Sequence, residues 1–233
     1  MLRITKILFI LLLTISSVKA NEVINKIVIN GNQRISDETI KIYGEIDKNK
    51  KINENGINQI IKNLYSTNFF EDVDVSYSNK ILTINLKEYP IVNQLIIIGE
   101  KSSNIKNQIK KLISLKEKRS FIKSKLSNDL EIIKTLYASI GYNFSIVEAK
   151  IKEIDNNNYD LIFEIKRGKE SRISSINFIG DKKLRDKRLK DIIASEEHKF
   201  WKFISRNTKF NKNLVNLDLR LLENYYKSIG YYD

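Results

Sequence analysis

Three stretches of the chain open alike: "INKIVINGNQRISDETI" from Ile24, "VNQLIIIGEKSSNIKNQI" from Val92 and "ISSINFIGDKKLRDKRLKDII" from Ile173. Self-similarity at this spacing constrains the fold more than any single motif, because each copy must be one supersecondary unit that the next one repeats. Each opening is a short β-branched run that ends in a glycine (Gly31, Gly99, Gly180) and leads through a polar turn into a helical pattern. Glycine suits that place because a tight strand-to-helix turn often demands positive φ.

A second shared block follows each opening: "INQIIKNLYSTNFFEDV", "LSNDLEIIKTLYASIGY" and "LVNLDLRLLENYYKSIGYYD". Ile57, Ile60, Ile61 and Leu64 fall at i, i+3, i+4 and i+7, which is one stripe of an amphipathic helix. Asn68, Gly141 and Gly230 then tolerate a left-handed cap. Tyr65, Tyr137 and Tyr226 are expected to sit at matching helix ends, with the ring in the core and the hydroxyl in water.

Two strands complete each full copy. Val73, Val75 and Tyr77 alternate with polar neighbours, a turn falls at Ser78-Asn79, and Leu82, Ile84 and Leu86 share a face. The second copy repeats this with Val147, Ala149 and Ile151, a turn at "DNNN", then Tyr159, Leu161, Phe163 and Ile165. The pattern predicts the α+β class: tandem βααββ domains, each with two helices on a small mixed three-stranded sheet. The third copy holds its first strand and both helices but only the opening residues of a hairpin. It is expected to be incomplete, as in a fragment of a longer protein or a truncated reading frame.

The N-terminus stands apart. "MLRITKILFILLLTISSVKA" has a basic start, an apolar run from Ile7 to Ile15 and small residues at Val18 and Ala20. This is the plan of a secretory signal peptide with cleavage after Ala20, and the run is too short to span a bilayer. Cysteine is absent, so an exported chain must hold together by core burial, and a bacterial periplasm is the expected compartment. The net charge of +13 is carried by lysines spread along the chain amid asparagine and isoleucine. Solvated faces explain that distribution better than a nucleic-acid site. A soluble binder of anionic lipid headgroups is a second reading of the same lysines.

No catalytic or metal-binding set appears, and no cofactor is expected. His198 is the only histidine, which rules out a two-histidine metal site; it is expected in a solvated loop. The chain has no phosphate-cradling glycine loop. Trp201 and Phe203 lie with Phe200 and Ile204 in a longer connection between the third copy's helices. Two readings stand: packing of the loop onto its own or a neighbouring domain, or an exposed aromatic contact for a partner.

The segments "VINGNQRISDETI", "LYSTNFFEDVDVSY" and "EEHKFWKFISRNTKFNKNLVNLDLRLLENYYKSIGYYD" resemble POTRA domains, the periplasmic modules that precede outer-membrane β-barrels, and in particular those of outer-membrane protein assembly factors. The resemblance implies a signal peptide over 1–20, POTRA domains over 21–89 and 90–168, and a third over 169–233 truncated before its β-hairpin. The resembled factors carry five such domains and then a barrel; the last two domains and the barrel are not in this chain. Secretion-pore and translocation-assembly barrels are relatives with other POTRA counts. The implied partners are unfolded outer-membrane protein precursors, accessory assembly lipoproteins, and the outer membrane itself through a C-terminal barrel.

A three-stranded sheet leaves unpaired backbone groups on its outer strands, and an extended peptide can add there with little side-chain selectivity. In the resembled family this edge is the first strand of the hairpin, here Asp72–Tyr77 and Ser145–Ile151. The candidate peptide-binding residues are therefore Val73, Val75, Tyr77, Val147, Ala149 and Ile151. The competing reading is that Glu148, Lys150 and Lys152 blunt the edge.

Overall fold

The computed structural model describes residues 22–49, 51–154, 157–180, 183–201 and 206–232. The expected signal peptide over 1–20, with its expected cleavage after Ala20, and Phe203 lie outside the described residues. The chain divides into two compact units, one ending at Tyr89 and the other beginning at Pro90.

The first unit runs β1 (Glu22–Val23), β2 (Lys26–Asn30), α1 (Asp37–Gly44), β3 (Lys51–Ile52), α2 (Glu54–Ser66), β4 (Phe70–Ser78) and β5 (Ile81–Glu88). Its main sheet has the order β2-β5-β4, with β2 parallel and β4 antiparallel to the central β5. The helices begin where short polar side chains take an otherwise unpaired amide: Ser36 accepts from the Thr39 N–H and Asn53 from the Gly56 N–H. Ile60 and Leu64 of α2 are buried against Val73 and Val75 of β4 and Leu82, Ile84 and Leu86 of β5. Leu82 and Ile84 are wholly covered, each contributing about 2 kcal/mol by leaving water. Asn79 and Lys80, both at positive φ, form the β4–β5 turn. This mirror-image turn matches strand twist, and it falls one residue later than the alternation predicts.

The second unit opens with the same plan: β6 (Ile91–Ile98), α3 (Ser103–Leu112), α4 (Lys123–Ser139), β7 (Ile146–Glu153) and β8 (Asn158–Lys166). Its sheet order is β6-β8-β7, again parallel then antiparallel about the centre. Ile109, Ile133 and Tyr137 from the helices pack on Leu95, Val147, Leu161, Phe163 and Ile165.

The turn glycines of the first two copies are held by close approach as well as by φ. A Cβ on Gly31 would lie 2.0 Å from the Leu86 carbonyl oxygen, and one on Gly99 2.0 Å from that of Ile165. Acids secure both turns. In the first copy Glu88, at the end of β5, accepts the N–H groups of Gln33, Arg34 and Ile35 and pairs with the Arg34 guanidinium at 2.7 Å. In the second, Glu100 accepts the Ser102 N–H at 2.7 Å and the Tyr137 hydroxyl at 2.5 Å.

The third copy has α5 (Asp186–Lys190), a 3-10 turn (Arg206–Thr208) and α6 (Lys212–Ser228). Its expected first strand does not form. Arg172 makes an isolated bridge to Lys209, and Ile173 to Ile179 carries no strand, with Ile179 98% exposed. The reason is pairing: β2 and β6 each lie on the last strand of their own hairpin, and no strand follows α6 among the described residues. Gly180 accordingly has nothing within reach of a Cβ, unlike Gly31 and Gly99.

Two local expectations are corrected. Tyr65 and Tyr137 are not equivalent: counting back four residues from the left-handed Asn68 and Gly141, Tyr137 matches Leu64. Tyr137 is wholly buried and its hydroxyl is bonded to Glu100, so it is not wet, whereas Tyr65 is 41% exposed. His198 is half-buried, donating its backbone N–H to Ile173 and meeting Arg172 through its ring.

Candidate functional site

Each sheet has two outer strands, β2 and β4 about the central β5 and β6 and β7 about the central β8; the candidate residues lie on β4 and β7. Backbone direction along them follows from the turn glycines. The Leu86 carbonyl faces Gly31 on the β2 side of β5. A strand residue sends its N–H and C=O to the same side, so Leu86 exchanges no hydrogen bond with Val73, its partner in register across β4. Val73 therefore turns its backbone groups outward, and its N–H reaches the Tyr65 hydroxyl at 3.2 Å. By the alternation of an antiparallel ladder, Val75 and Tyr77 point outward too. The same construction holds in the second sheet. Ile165 faces Gly99 and pairs in register with Val147, so Val147, Ala149 and Ile151 present their backbones to the open side.

Side chains tell a different story from backbones. Val73, Val75 and Val147 are buried in the cores, while Tyr77 and Ala149 are half-buried and Ile151 is 42% exposed. Tyr77 also donates its hydroxyl to the Val23 carbonyl. The six candidates thus share outward backbone groups, and only Ile151 shows much side chain to solvent. This separation could not be read from alternation, which gives the face of a side chain but not the side to which an amide points.

On the solvent face of β7, Glu148, Lys150 and Lys152 are exposed. Lys150 is drawn across the sheet to Glu164 of β8 at 2.7 Å, and that hydrogen bond raises the pKa of its ammonium group. It does not lie over the edge. Ile146 is 53% exposed beside it. β4 carries Glu71, Asp72 and Asp74 on exposed positions instead, with Lys87 bound to Glu71 and Asn85 donating to Asp74.

Trp201 is 58% and Phe200 84% exposed. Their rings meet edge to face at 4.5 Å, and the Lys199 ammonium lies 5.6 Å from the Trp201 ring. Packing of Trp201 into a core is not what the structure has.

Asp129 and Asp218 escaped the sequence reading. Asp129, fully buried, accepts the N–H groups of Ser114 and Leu115 and the Ser114 hydroxyl; Asp218 accepts those of Ala194 and Ser195. Both stand eight residues before the matching tyrosines Tyr137 and Tyr226, a coincidence that self-comparison of the repeats contains. They tie the longer helix to the connection before it and take no part in the edges.

The POTRA family profile, described as "Surface antigen variable number repeat", matches residues 22–89, 90–168 and 171–233. The chain is 26% identical over 214 residues to the outer membrane protein assembly factor BamA of Neorickettsia risticii (strain Illinois), covering 92% of this chain and 29% of that protein. It is 26% identical over 217 residues to BamA of Neisseria meningitidis serogroup B, covering 92% and 27%. The chain thus spans less than a third of the length of these curated relatives. Among solved structures, the N-terminal domain of Omp85 from Thermosynechococcus elongatus superposes with a TM-score of 0.43 at 14% identity, covering 88% of this chain and 86% of that one.

Proposed function

The chain belongs to the POTRA family, and from that premise we propose that it is the periplasmic receiving segment of an outer-membrane β-barrel assembly factor. Unfolded barrel precursors add to the sheet edges as extended strands, and accessory lipoproteins dock on the same modules. The observation that carries this reading is the outward backbone of Val147, Ala149 and Ile151 on an outer strand, derived from the Gly99 contact and the β7–β8 register. Main-chain hydrogen bonding asks only that the client be extended, which suits clients of diverse sequence. Exposed Ile146 and Ile151 lie on opposite faces of β7 and supply apolar contact to one side chain on each face of an added strand.

Ala149→Pro tests the proposal. It deletes an outward N–H while the ladder to β8 keeps its bonds, because proline is tolerated where the N–H faces solvent. A fluorescein-labelled peptide corresponding to one strand of an outer-membrane barrel should bind this variant on the order of tenfold more weakly, from about one hydrogen bond. Unchanged affinity in a variant that melts as the parent does overturns strand addition at β7.

A further inference from the structure

The two edges are not equally open. Tyr65 leaves the last turn of α2 one position beyond buried Leu64, outside the stripe that makes the core. Its hydroxyl accepts the Val73 N–H at 3.2 Å and donates to the Asp72 carboxylate at 3.2 Å. An incoming strand would place a backbone carbonyl where that hydroxyl oxygen sits. In the second copy the matching helical position is Ala138, which has no hydroxyl to offer. The Val147 amide there is turned away from the central strand by its register with Ile165, and Ala138 gives it no side-chain oxygen to meet.

We propose that Tyr65 is a built-in occupant of the first edge, standing in for the carbonyl of an added strand, so that extended peptides select β7 over β4. The proposal rests on the strand-addition reading and sharpens it. A peptide arriving at β4 must displace a hydrogen bond already made, so its gain there is smaller by about one bond, roughly five- to tenfold in affinity. The surroundings act in the same direction. β7 shows Ile146 and Ile151 to solvent, whereas no large apolar side chain of β4 is exposed.

The test uses the whole chain, labelled with nitrogen-15 and titrated with an extended peptide of alternating valine and serine. In the parent protein, amide shifts should appear at Val147, Ala149 and Ile151 at lower peptide concentration than at Val73 and Val75. Tyr65→Phe keeps the ring and removes the hydroxyl; it should tighten binding at β4 about five- to tenfold and leave β7 unchanged. Without peptide, the Val73 amide should exchange with deuterium severalfold faster in Tyr65→Phe, relative to Val75. Equal β4 affinity in the two proteins, with β7 binding intact, overturns the role of Tyr65 and leaves strand addition standing. So does Val73 exchange that does not respond to the substitution. Absence of shifts at both edges in both proteins overturns strand addition and this inference together.

Discussion

The first and second repeats meet the same requirement from opposite sides of the same turn. After Gly31 the loop amides of Gln33, Arg34 and Ile35 converge on Glu88, a strand residue, and Arg34 supplies the cation from the loop. After Gly99 the acid is in the loop, at Glu100, and the nearby cation, Arg167, comes from just past the end of β8. Arg167 stands two residues beyond Ile165 as Glu88 stands two beyond Leu86, so acid and base have changed places. Burial alone would raise the pKa of either carboxyl. At Glu88 the three backbone N–H groups and Arg34 outweigh it, and at Glu100 the Tyr137 hydroxyl, the Ser102 N–H and Arg167 do so; both titrate below the usual carboxylate range. What the copies share is therefore a buried acceptor beside a tight turn, and the residue that provides it is free to move. The swap also explains why Tyr137 replaces Leu64 in the core: of the first two copies, the second is the one with an acid directly after its turn glycine for a hydroxyl to meet.

Substitutions at the turn glycines break the comparison most severely. Gly31→Ala and Gly99→Ala each drive a methyl group into a backbone carbonyl, and each should cost about 3 kcal/mol or more. Gly180→Ala, facing open space at φ +129°, meets no carbonyl and should cost only backbone strain, about 1–2 kcal/mol. Denaturant titration of the three variants separates these cases, and equal costs would mean that the close approach to Leu86 and Ile165 is not what holds the turn.

Tyr137→Phe probes the second copy alone. It leaves Glu100, 4% exposed, short of a donor, and should cost about 2 kcal/mol. The cost should fall on melting of the second unit and not the first, as amide exchange resolved by residue would show.

A smaller, pH-dependent effect belongs to the first copy. Because the folded pKa of Glu88 lies below its unfolded value, its contribution is fully present above about pH 4.3 and is lost as pH falls through the lower folded value. Glu88→Gln should lose roughly 1 kcal/mol at neutral pH and nothing once the parent carboxyl is protonated. Melting curves at pH 7 and pH 3 check this; a constant difference between the two proteins would contradict it.

Much of the architecture was legible from residue order. The β-branched runs, the stripe Ile57, Ile60, Ile61 and Leu64, and the alternation of Val73 and Val75 against Leu82, Ile84 and Leu86 give both complete sheets and the helices that cover them. The edge residues were nameable, because the outer strand follows from the hairpin and the resemblance. The opening of the third copy was misread for a physical reason: "ISSINFIG" has the composition of a strand, but a strand exists only where another backbone lies alongside. Tyr65 was misread through a one-residue offset, which on a helix turns a side chain by about 100° and takes it from core to surface.

Composition and periodicity by themselves determined a repeated βααββ plan with apolar faces on known residues, because local spacing sets which side chains can share a face. Tertiary structure alone decided which amides are left open, which acid closes each turn, and that Tyr65 lies across one edge while Ala138 leaves the other bare. Those outcomes depend on how segments far apart in sequence come together, as Gln33 does with Glu88 across 55 residues and Tyr137 with Glu100 across 37, and that is decided by how whole elements pack rather than by any stretch of chain read in isolation.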